Sequence, residues 1–133
     1  MKSQVAIEYM ILISLILLLL VPIWIYLMLS RIQLQDDLSI SYAKDAVNRI
    51  KDAADLVYIQ GSPARVKVNI YIPENVHSIN FTDRTIIIKL RTSAGLVDIH
   101  AETLANITGQ LPVQSGYYEV IVKSEVGYVN VTI

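Results

Sequence analysis

No cysteine occurs in the 133 residues, which excludes disulfides, thiolate metal sites and thiol nucleophiles together and gives no pointer to a redox compartment. Stability has to come from packing. Histidine is scarce as well: His77 and His100 are the whole supply, thin material for metal or acid–base chemistry. An excess of one charge is missing, since 11 Lys plus Arg against 12 Asp plus Glu give a net −1. No stretch gathers basic residues as a phosphate-tracking surface needs, so nucleic acid is not an expected partner. No Ser–His–Asp arrangement, phosphate-cradling Gly loop or carboxylate pair in apolar surroundings can be argued, and neither catalysis nor a cofactor is expected. The length suits one domain plus an appendage, with 53% of residues hydrophobic and only 17% charged.

The hydrophobic excess is concentrated. From Tyr9 to Ser30 there are 22 residues without a charge, nearly all Leu, Ile, Val, Met or aromatic. As a helix this run spans roughly 30 Å, the thickness of the hydrocarbon layer, and it is apolar around its whole circumference, unlike a core helix of a small protein. Trp24, Tyr26 and Arg31 mark an outer interface, and Pro22 is tolerable in lipid, with a bend expected there. A secretory signal has a shorter apolar core, basic residues before it and a small-x-small cleavage site after it. Here Glu8 stands at the front edge of the run and Met28-Leu29-Ser30 is a poor cleavage site. The segment is therefore expected to be retained, with Lys2 favouring a cytoplasmic amino end and the chain after Arg31 outside.

After Arg31 the period changes. Leu38, Ala43, Ala46, Val47, Ile50, Ala53, Ala54 and Val57 predict one apolar stripe on a helix, with Lys44, Asp45, Asn48, Arg49, Lys51, Asp52 and Asp55 on the other face. Gly61 and Pro63 place its end near Gln60. Without a break at Asp36 to Ser41, residues 5–60 make one helix of roughly 80 Å.

From Arg65 the period is two. Strands are expected around Val66–Ile72, Ile79–Phe81, Ile86–Leu90, Val97–Ala101, Tyr118–Val122 and Val129–Ile133, divided by turn signals at Pro73-Glu74-Asn75, Ser93-Ala94-Gly95, Ser115-Gly116 and Gly127. The fold class is α+β: a long N-terminal hydrophobic helix, transmembrane and then amphipathic, followed by a small antiparallel β-sandwich of about six strands.

The start of the chain, Lys2-Ser3-Gln4-Val5-Ala6-Ile7-Glu8-Tyr9 ahead of the apolar run, resembles the class III signal of archaeal type IV pilins and related surface proteins. That pattern is a basic and a small residue, then Gln, then Glu four residues on. This chain has Ser3 before the cut and Ala6 at the third mature position, where the family usually has Gly and Ser. The stretch Ala43–Val76, with Ala53-Ala54-Asp55, Val57-Tyr58-Ile59-Gln60-Gly61 and Tyr71-Ile72-Pro73-Glu74-Asn75-Val76, and Gly109-Gln110-Leu111-Pro112 are similar to members of the same group.

The resemblance implies a type IV pilin-like fold and cleavage by a prepilin peptidase between Ser3 and Gln4. Residues 1–3 are then the signal, 4–30 the transmembrane and filament-core helix, 31–61 the amphipathic helix packed on the β domain, and 62–133 the extracellular sandwich. It implies as partners membrane lipid before assembly, identical or related pilin subunits, and an assembly ATPase with its membrane platform. The corresponding Glu in that family is thought to meet the terminal amine of a neighbouring subunit. Electrostatics points the same way: a carboxylate at the edge of hydrocarbon is costly unless paired, and Glu8 stands about one helical turn from Gln4. The alternative is an uncleaved, signal-anchored cell-surface binding module; a mature start at Gln4 against an intact Met1-Lys2-Ser3 end separates the two.

Three further features carry chemistry. Asn80-Phe81-Thr82, Asn106-Ile107-Thr108 and Asn130-Val131-Thr132 are N-glycosylation sequons, where six Asn and 16 Ser plus Thr give fewer than one by chance. Asn80 and Asn130 fall on the polar phase of their strands. Asp98, His100 and Glu102 share one strand face, but a turn at Thr92 to Gly95 places Lys89 opposite Asp98, so a solvated ion-paired face is expected there and no metal site. Tyr117, Tyr118 and Tyr128 near the last hairpin are candidates for an aromatic surface patch, with cross-strand packing the expected role.

Overall fold

A computed structural model describes all residues, Met1–Ile133. It consists of one helix, α1 (Lys2–Gln60), and seven strands: β1 (Arg65–Ile72), β2 (Val76–Thr82), β3 (Thr85–Thr92), β4 (Gly95–Glu102), β5 (Asn106–Gly109), β6 (Gly116–Glu125) and β7 (Tyr128–Thr132). The helix is unbroken at Asp36 to Ser41 and continues through Pro22, although the proline lacks the N–H that would bond the Leu18 carbonyl. The chain divides into two compact units, Met1–Gln35 and Asp36–Ile133.

The first unit is helix alone, and none of its residues is buried. Its apolar side chains point outward on every side, so nothing within the unit removes them from solvent. Ser14 turns its hydroxyl back to the Met10 carbonyl at 2.7 Å, which satisfies a polar group in an apolar setting.

In the second unit, the rest of α1 and both sheets enclose one core. Ala43, Ala46, Val47, Ile50, Ala53, Ala54 and Val57 are buried on the helix, with Ile40 packed beside them. Four of these are alanine, so the helix backbone can lie close to the strands. Leu38, expected on this stripe, is 54% exposed. It precedes Ala43 by five positions and so sits about 140° away around the helix; Ile40, three before Ala43, takes its place. At the C-terminal end Gly61 adopts φ 81°, and its N–H donates to the Val57 carbonyl at 3.0 Å, the left-handed cap for which glycine is favoured.

The strands form a four-stranded sheet in the order β1-β6-β7-β5 and a three-stranded sheet in the order β2-β3-β4. Their inner faces supply Ile70, Ile72, Val120, Val122, Val129, Val131 and Ile107 from the first, and Ile86, Ile88, Leu90 and Ile99 from the second. The six expected strands are all present at the expected phase, except that Ile133, expected inside the last, lies past the end of β7 and is 58% exposed. The expectation of six antiparallel strands is corrected by β5, which pairs parallel to β7. β5 has one buried apolar residue, Ile107, and ends in glycine, too little for a period-two pattern to register.

β5 packs against β2 and β3, and the Ile107 N–H donates to the Asp83 carbonyl at 2.7 Å. The two sheets therefore meet along β5. The helix lies at their other margins: the Tyr42 ring touches Tyr71 of β1, while Ile40, Lys44, Val47 and Asn48 flank Val97–His100 of β4. Two helix carboxylates fix this placement. Asp36 Oδ2 accepts from the Ser93 N–H at 3.0 Å and the Ser93 hydroxyl at 2.5 Å, and Asp55 Oδ1 accepts from the Leu104 N–H at 2.9 Å.

Candidate assembly segment and outward-facing residues

Ser3, Gln4 and Glu8 all lie on α1 and are exposed. Gln4 and Glu8 are four positions apart, hence on one face of the helix one turn from each other. Behind them Ile7, Met10, Ile11, Ser14, Leu15 and Leu18 line a shallow furrow along the helix, the kind of groove into which side chains of a second helix interlock. The ion pairs of the chain are Asp45–Arg49, Lys67–Glu119, Arg84–Glu102, Lys89–Asp98 and Lys123–Glu125. Glu8 belongs to none of them, so the first unit offers a carboxylate without a cation at the head of an unburied apolar surface.

The sequon asparagines point away from the core. Asn80 and Asn106 are exposed and Asn130 is half-buried. Asn106 and Asn130 share the outer face of the β1-β6-β7-β5 sheet, where Thr108 is the register partner of Asn130; Asn80 lies in β2, on the other sheet.

Asp98, His100 and Glu102 lie in β4 and are exposed. Lys89 stands opposite Asp98 in the register, at 3.9 Å, and Arg84 lies 4.0 Å from Glu102. The carboxylates face basic side chains, as the hairpin register implies.

Tyr117, Tyr118 and Tyr128 do not come together. Tyr117 stands at the start of β6, whereas Tyr128 pairs with Glu125 at its far end. Tyr118 is half-buried and donates its hydroxyl to the Gln114 carbonyl at 3.0 Å. The aromatic group that does form is Tyr42–Tyr71–Tyr117, with ring centroids 5.0 and 4.8 Å apart and Tyr117 85% exposed. Sequence reasoning missed Tyr42 and Tyr71, because their proximity to Tyr117 depends on the β1–β6 register and on helix docking. It also missed Asp36 and Asp55 as anchors, since each meets a backbone N–H about fifty residues away. The chain matches no protein-family model, no curated protein and no solved structure.

Proposed function

We propose that the protein is a structural subunit of a type IV pilus-like surface filament, as its resemblance to archaeal pilins implies, processed by a prepilin peptidase before Gln4 and assembled through its N-terminal helix. One observation carries this reading: α1 is long and apolar enough to cross a membrane, and the apolar surface of its Met1–Gln35 part is unburied on all sides, with Glu8 unpaired at its head. Before assembly, lipid covers that surface. In the filament it is reburied against neighbouring helices, where van der Waals packing replaces lipid contact. A new amine at Gln4 on one subunit would neutralise Glu8 on the next, and opposite charges in a water-poor bundle set the axial stagger. The assembly ATPase and its membrane platform drive extraction from the bilayer, and the β-rich unit, polar on its outer faces, stays in water.

Mass spectrometry of the protein recovered from surface filaments tests the reading. A mature chain starting at Gln4 is expected. An intact Met1-Lys2-Ser3 end on material confined to the membrane would contradict it and favour the signal-anchored binding module.

A further inference from the structure

The three sequons differ in what holds them, and the difference bears on when each can be modified. In a strand, Asn and the Thr two residues on project from one face with their Cα atoms roughly 6–7 Å apart, and the backbone between them is held in the ladder. A transferase that recognises both groups in one site has to bend the segment out of its ladder. For Asn80 this is a modest change. β2 is an edge strand with a register irregularity near Val76 and Ser78, its middle sequon residue Phe81 is only partly buried, and Thr82 is the last residue of the strand. For Asn130, β7 is bonded on both sides, by β6 and β5, and Val131 is fully buried. For Asn106, β5 is likewise an edge strand, bonded by β7 alone, but Ile107 is fully buried and its N–H is held by the Asp83 carbonyl. Bending either segment pulls a core residue into water and opens the β5–β7 pairing.

We propose that Asn80 accepts an N-linked oligosaccharide on the folded protein, whereas Asn106 and Asn130 accept theirs only before the β1-β6-β7-β5 sheet closes. The inference rests on the reading above, in that the β-rich unit lies outside the membrane, where a transferase meets it. The donor class is a polyprenyl-diphosphate-linked oligosaccharide. The Asn Nδ2 forms a bond to the anomeric carbon as the bond from that carbon to the diphosphate oxygen breaks; an amide proton passes to a base of the transferase and the lipid diphosphate leaves. All three folded positions tolerate the product, because each asparagine faces outward. Sugars on Asn106 and Asn130 share one patch, the two residues being diagonal neighbours across the β5–β7 pair.

The test uses the full chain made in a host without N-glycosylation and purified folded in detergent, together with its own proteolytic peptides spanning each sequon. Both are incubated with a purified oligosaccharyltransferase and a polyprenyl-diphosphate-linked oligosaccharide, and occupancy is read by glycopeptide mass spectrometry. The expected result is comparable modification of all three peptides, but on the folded chain Asn80 modified at least about tenfold faster than Asn106 or Asn130, the scale set by keeping a large aliphatic side chain in a core. A rate at Asn106 or at Asn130 similar to that at Asn80 on the folded chain would overturn the proposal. So would a folded chain bare at Asn80, or peptides bare at all three sites. None of these outcomes alters the mature amino terminus, so failure here is separable from failure of the filament reading.

Discussion

Glu8 is the single acidic residue in the first 35 positions and belongs to no ion pair of the chain; in the proposed filament a cation of a neighbouring subunit meets its cost at the edge of hydrocarbon. Glu8→Val should therefore leave membrane insertion and cleavage intact, since the apolar run is not shortened, while filament yield on the cell surface drops severely; wild-type filament numbers by electron microscopy would refute the pairing. Gly109 makes a different demand. A Cβ there would stand 2.3 Å from the Val131 carbonyl oxygen, so Gly109→Ala must push β5 from β7. Destabilisation of about 1–3 kcal/mol or more is expected, read as a lowered denaturation midpoint of the detergent-solubilised chain. An unchanged midpoint would mean that the parallel pair is not as described. The first of these residues was legible in sequence because charge in an apolar context stands out; Gly109 was not, because its role exists only once β7 lies alongside.

Among the elements, those with a strong local period were readable. The Ile86, Ile88, Leu90 alternation and the Ala43-to-Val57 stripe name their own buried faces, and Gly61 names its own helix end. What sequence alone leaves out is set by partners far along the chain. Leu38 reads as part of the stripe until Ile40 is seen to occupy the core, and β5 is a strand only because β7 lies beside it and Asp83 caps its other edge. The contrast between two aliphatic residues of one helix tests this packing. Ile50→Ala, at a fully buried position, should cost about 2–5 kcal/mol, whereas Leu38→Ala should change stability by less than about 0.5 kcal/mol. Equal shifts in the two thermal denaturation curves would place the helix on the wrong face.

At the scale of the whole molecule, one unit carries its own core and the other has none. The Asp36–Ile133 unit satisfies its apolar faces with its own sheets and helix, while the Met1–Gln35 unit leaves its side chains exposed all round. A surface apolar on every side calls for neighbours on every side: lipid in the membrane and, in the proposed filament, several copies of the same helix. Absence of native cysteine makes this directly measurable. Ile16, Leu17 and Leu18 each replaced singly by cysteine, with Leu15→Cys as the fourth, sample four directions around the helix at about 100° intervals. In filaments sheared from the cell surface all four cysteines should resist a water-soluble maleimide, and all four should react once detergent has dissociated the subunits. Rapid labelling of any one of the four in the intact filament would contradict burial of this helix among copies of itself.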